Sequence, residues 1–182
     1  MENVPVNTWF PALTLALGFI FAMAADALKD RRQGKREREA REFNRREAIG
    51  LRRIDFQREA LVDLLDQISK LARFCGSSHY QQVMGARATG TWGAIKLTED
   101  VNEGFRATQA AISTTYIRVH DDVVRERTEV FKGACVTAVM APSEAESFQA
   151  FVAMQKALDE LSDRIGQVLR SLDSDEDEIV GK

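Results

Sequence analysis

From Trp9 to Ala25 the chain carries no charged side chain, and a dense block of arginines and lysines follows directly. These 17 residues, or 20 when the run is extended to Leu28, reach about 26–30 Å as a helix, close to the hydrocarbon thickness of a bilayer. A core helix of a water-soluble protein keeps a polar stripe within such a length, and none is present here. The run therefore predicts a single-pass transmembrane helix over residues 9–28, anchored by Trp9, Phe10, Leu13, Leu15, Leu17, Phe19, Ile20 and Phe21. Trp9 falls where an interfacial aromatic belongs, Pro11 in the first turn, and Asp26 at the opposite edge rather than at the bilayer centre.

Two other readings compete with the anchor. Ala22-Met23-Ala24 resembles a signal-peptide cleavage site, but such a peptide has a basic region ahead of its apolar core, and here that flank carries only Glu2. A buried soluble helix is the other. Gly18-x-x-x-Ala22 and Ala12-x-x-x-Ala16 are spacings through which anchors can pair.

A net charge of −3 for 182 residues conceals strong segregation. Residues 29–58 hold twelve basic and six acidic side chains, whereas residues 59–182 carry a net −7. A basic block behind an apolar run orients a single-pass protein with that block in the cytoplasm. The expected layout is a short extracytoplasmic N-terminus (1–8), the anchor, a basic juxtamembrane helix (29–53) and a cytoplasmic helical bundle (54–172) at the plasma (inner) membrane. Lys29, Arg31, Arg32, Lys35, Arg36 and Arg38 are the candidate contacts to anionic lipid headgroups, each worth about 1 kcal/mol close to the surface. A solvated helix that serves only as a topogenic signal accounts for the same residues. Nucleic acid is the less fitting partner, because interleaved glutamates repel phosphate.

The apolar period sharpens from Ile54. Positions 54, 57, 61, 64, 68, 71 and 75 read Ile, Gln, Leu, Leu, Ile, Leu and Cys, an amphipathic helical stripe. Cys75-Gly76-Ser77-Ser78 reads as its stop, followed by a short helix around 80–88 and a loop that tucks Trp92 onto the bundle. A second long helix is expected from a Thr98 cap to Pro142, burying Val101, Phe105, Ile112, Tyr116, Val119, Val123, Val130 and Ala134. Ser143-x-x-Glu146 is a capping box for a third, whose positions 151, 154, 158, 161, 165, 168 and 172 are all apolar. Five acids in residues 173–178 predict a disordered acidic tail over 173–182. The fold class expected is all-α: an anchor, a basic stalk and an antiparallel three-helix bundle or coiled coil. Leu61, Leu64, Ile68, Leu71, Phe151, Leu158, Leu161 and Ile165 are its candidate bundle or oligomer contacts.

Catalytic chemistry is poorly represented. Cys75 and His79 share a helical spacing, but no further residues complete a zinc set. His120-Asp121-Asp122 resembles the His-Asp pair of metal-dependent phosphohydrolases, which need additional histidines, and this chain has only two. Phosphate-loop, dinucleotide and nucleophile-elbow motifs are missing from the sequence. Two cysteines make no disulfide scaffold. The expectation is a non-catalytic scaffold, adaptor or oligomerisation module without cofactor or metal. Its partners would be the membrane and either a second copy or another helical protein. The alternative is a membrane-tethered sensor or effector, as in phage or phage-defence systems, that binds a ligand or perturbs the bilayer, with the glycine-rich 76–97 segment as its mobile part.

Overall fold

The computed structural model describes residues 10–181, which form four α-helices and no strand among the described residues. They are α1 (Phe10–Thr89), α2 (Glu99–Thr115), α3 (Asp122–Val139) and α4 (Glu144–Val180), with a 3-10 turn at Tyr116–Arg118. The chain divides into two compact units, Met1–Ile49 and Gly50–Lys182.

In the first unit the described residues are helical. Good helix formers and i,i+4 ion pairs, Lys35 with Glu39 and Arg41 with Glu37, support the basic stretch. Leu15, Phe19, Phe21 and Met23 are 59–76% exposed. Among the described residues no helix is long and apolar enough to cross a membrane. Residues 1–9, including Trp9, lie outside those described, as do the side chains of Phe10, Leu13, Leu17, Ile20, Arg31 and Arg32.

The second unit is built on the α1 stripe. Leu61, Leu64, Ile68 and Leu71 are fully buried, with Ile54, Gln57 and Cys75 nearly so. From α4 they meet Met154, Ala157, Leu161 and Ile165, with Phe151, Leu158, Val168 and Leu172 packed against the same core. Cross-helix bonds give the direction of each element. Gln81 on α1 bonds Thr98 at the start of α2, while Gln57, more than six turns earlier, bonds Arg118 and His120 after its end. Arg164 on α4 reaches Asp121 at the start of α3, and Trp92 in the α1–α2 loop reaches Ala141 in the α3–α4 loop. Successive helices therefore alternate in direction, as in an up-down-up-down four-helix bundle.

Four expectations are corrected here. First, α1 does not stop at Cys75-Gly76-Ser77-Ser78 but runs to Thr89. Its far end still has partners to bury against: a Cβ on Gly76 would lie 3.8 Å from Phe151, and one on Gly85 would overlap Ile95 at 2.5 Å. The turn comes at Gly90, which has φ +75° and donates its N–H to Ala86. Trp92 does pack back onto the bundle as expected, its Nε1 donating to the Ala141 carbonyl at 2.8 Å.

Second, the helix expected from Thr98 to Pro142 is two helices, so the bundle has four members rather than three. The chain turns extended at Val119 (ψ 128°), which is fully buried, and restarts at Asp121. The Asp121 carboxylate accepts from the Val124 N–H as an N-cap. Gln57 clamps the break, donating to the Arg118 carbonyl at 3.0 Å and accepting from the His120 N–H at 2.8 Å.

Third, this break resets the helical phase. Val123 and Val130, expected inside, are 39% and 59% exposed; Val124, Thr128, Phe131, Cys135 and Ala138 are buried instead. Thr98 sits at the head of α2 but makes no side-chain cap, because its hydroxyl accepts from Gln81. Ser143 does cap α4, accepting from the Glu146 N–H.

Fourth, the acidic tail is not disordered. α4 continues to Val180, and Gly181 ends it with φ 75°. Arg58 holds Asp173 at 2.9 Å and Glu176 at 2.5 Å, so part of the acidic run is neutralised against α1. Ile179 lies against Gly50, where a Cβ would meet its Cδ1 at 3.0 Å.

Candidate functional site

Residues predicted to contact lipid fall in the first unit, where Leu15, Phe19 and Phe21 are solvent-facing helical side chains, as are Lys29, Lys35, Arg36 and Arg38. Those predicted to make bundle or oligomer contacts lie in this chain's own core. Leu61, Leu64, Ile68, Leu71, Leu161 and Ile165 are wholly buried, and Phe151 and Leu158 half-buried. The structure brings the second group together and assigns the described members of the first no packing partner in the core.

His120-Asp121-Asp122 separates into three structural roles. Burial pushes the Asp121 carboxyl up, but the Arg164 guanidinium and the N–H groups of Val124 and Val123 together outweigh it and hold it below its ordinary value. Arg164 grips it through both oxygens, at 2.6 and 3.3 Å. Asp122 pairs with Arg125 in the next turn. His120 contributes its backbone N–H to Gln57, and its side chain is exposed.

The polar cluster nearest to a catalytic arrangement is at the other end of the bundle. His79 Nδ1 lies 2.8 Å from Ser147 Oγ, and the ring stacks on Phe151 at 5.5 Å, with Trp92 at 6.2 Å. Ser147 gives its one hydroxyl proton to the Ala138 carbonyl at 3.2 Å. With the Ser147 proton so placed, the Nδ1–H tautomer of His79 donates to Ser147, the reverse of a general base activating a nucleophile. At 1% exposure Ser147 is also closed to any substrate larger than a water-sized molecule. The pair joins α1 to the start of α4.

Cys75 and Cys135, whose proximity spacing alone could not fix, are adjacent: the Cys75 thiol donates to the Cys135 carbonyl at 3.4 Å. A hydrogen bond from the Cys135 thiol to the Cys75 sulfur, and then burial, push the Cys135 thiol far above its ordinary value. Among the described residues no group of three or more His, Cys, Asp or Glu side chains forms a metal site. Open grooves mark the surface of the described residues. One of about 320 Å³ between α3 and α4 is lined by Val123, Val130, Ala157, Glu126, Arg127 and Glu160. Another, about 580 Å³, lies between α1 and α2 beside Tyr80 and Val101.

Sequence reasoning missed Gln57, Arg58 and Arg164 as polar residues that hold the end of the bundle containing the α2–α3 break. Only Gln57 carried a signal, as the one polar residue in an otherwise apolar heptad set. No protein-family model matches the chain, and no curated protein or solved structure compared with it matches either.

Proposed function

We propose that this is a single-pass, membrane-anchored protein whose cytoplasmic four-helix bundle works as a non-catalytic scaffold or adaptor. The observation that carries the reading is the uncharged run Trp9–Ala25 with the arginine-rich block behind it. Leu15, Phe19, Phe21 and Met23 lie bare along its helix. Four large apolar side chains so exposed call for an apolar environment. Lipid fits best, because positive charge flanks the run on one side only.

The bundle supports a binding role rather than a chemical one. Its most polar clusters are consumed in structural work: Asp121 with Arg164, His79 with Ser147, and Gln57 with the α2–α3 break. Held at a membrane, such a bundle associates at high effective concentration, so weak helix–helix contacts with a second copy or a helical partner suffice. The sensor or effector reading gave the 76–97 segment as its mobile part, and that detail has less support. Residues 76–89 instead belong to α1, and Trp92 is bonded to Ala141.

Alkaline carbonate extraction of membranes from cells expressing the full chain tests this reading. Retention of the protein in the pellet, with the bundle digested by protease only after the cytoplasmic face is opened, is the expected result. Release into the supernatant, or a mature N-terminus beginning at Ala25, overturns it. Crosslinking in the same membranes then identifies the bundle's partner.

A further inference from the structure

The two cysteines of this chain sit 60 residues apart in sequence and meet in the core, Cys75 from α1 and Cys135 from α3. Both are free thiols, at 1% and 0% exposure. A buried thiol pair is ordinarily inert packing. Two buried polar atoms farther along α1 make this one different. Ser78, at 1% exposure, has an Oγ with no hydrogen-bond partner, and Gln82 has a buried Oε1 with none. Residues 75, 78 and 82 follow the i, i+3, i+7 rule, so they lie on one face of α1. The orphaned oxygens thus mark a polar seam on the Cys75 face of α1, between Cys75 and the helix's loop end. Buried polar atoms of this kind are satisfied by small hydrogen-bonding molecules with the dimensions of water.

We propose that Cys75 and Cys135 form an oxidation site for hydrogen peroxide, which follows this seam and converts the pair into an intramolecular disulfide tying α1 to α3. Cys75 is the attacking sulfur and Cys135 the resolving one. The hydrogen bond that the Cys135 thiol donates to Cys75, and then burial, keep the Cys135 proton in place. The Cys75 sulfur attacks one peroxide oxygen, the O–O bond breaks, and the departing hydroxide takes up the Cys75 thiol's proton to become water. Cys75 is then a sulfenic acid. The Cys135 sulfur attacks the Cys75 sulfur, the S–O bond breaks, and a second water departs with the Cys135 proton. Two thiols and one hydrogen peroxide give one disulfide and two waters, with two electrons passing from sulfur to oxygen.

The test uses the full chain purified in detergent and exposed to hydrogen peroxide while folded. It is then quenched with a maleimide in urea and mapped by peptide mass spectrometry. Both thiols should disappear together into a Cys75–Cys135 linked peptide. The thermal midpoint should rise by roughly 10 °C, from closure of a loop of this length, and dithiothreitol should reverse both changes. Cys135→Ala should stop at a sulfenic acid on Cys75 that dimedone traps. Ser78→Ala should slow oxidation severalfold without lowering the midpoint, since it removes an unpartnered hydroxyl. Thiols that survive in the folded protein yet oxidise in urea, or disulfides formed only between chains, overturn the proposal. An unchanged rate in Ser78→Ala overturns the seam.

Discussion

Replacing Gln57 by leucine separates two ways of reasoning about this protein. By heptad logic the change completes the α1 stripe, and burying a leucine in place of an amide at a site 7% exposed should gain about 1–2 kcal/mol. The structure argues the opposite. The Gln57 amide bonds the Arg118 carbonyl at 3.0 Å and the His120 N–H at 2.8 Å, and leucine leaves both backbone groups without that partner. Each orphaned group costs about 1–3 kcal/mol. Taking the middle of each range, the loss exceeds the gain by about 2.5 kcal/mol. For a bundle of this size that lowers the thermal midpoint by roughly 5–8 °C. Thermal and urea unfolding followed by circular dichroism read the change, with Gln155→Leu on the exposed face of α4 as a control near zero. A Gln57→Leu protein as stable as the parent, or more so, would refute the assignment of Gln57 as the clamp on the α2–α3 break.

Other expectations follow from single contacts. A Cβ on Gly104 would overlap the Phe74 ring, so Gly104→Ala should destabilise by about 1–3 kcal/mol, and Phe74→Leu in the same chain should recover part of that loss in urea unfolding. Asp121 titrates below its ordinary value in the folded protein. Its contribution is therefore present above the unfolded carboxyl pKa near 4 and is lost as pH falls through the folded value. Asp121→Asn should flatten the acid limb of a stability–pH curve, and an unaltered limb would count against the Arg164 pairing. Arg58→Ala should release the last turns of α4, seen as faster hydrogen exchange over residues 173–180. Global stability should fall by at most about 1 kcal/mol, because the pair is largely solvated. High salt should reproduce part of the effect in the parent protein.

The helices with strong apolar periodicity were readable from sequence. The expected positions from Ile54 through Cys75 are buried, and those from Phe151 through Leu172 are buried or half-buried, because packing in a shared core needs a continuous stripe. What escaped the pattern depended on non-local partners. The restart at Asp121 had a local cue in a capping aspartate with an acid behind it, yet the break itself is held by Gln57, which is distant in sequence. Once the chain leaves helical geometry at Val119 the phase beyond it is free, so counting on from Tyr116 put Val123 and Val130 on the wrong side. The acidic tail shows the same limit: five acids in six residues favour disorder in isolation, and Arg58 together with the Ile179–Gly50 contact reverses the balance. Glycine misled in the opposite sense at Gly76, where the helix continues because its flank is packed by Phe151. The thiol pair was beyond sequence altogether, since it requires the register between α1 and α3.

The most direct measurement of the membrane tether is a spin-label scan of residues 14–28, one cysteine at a time, on a Cys75→Ala, Cys135→Ala background in anionic liposomes. Labels near Phe19 should show high collision rates with oxygen and low rates with a water-soluble nickel chelate, with the ratio falling toward Lys29. Uniformly high nickel accessibility along the segment would place it in water and contradict the anchor.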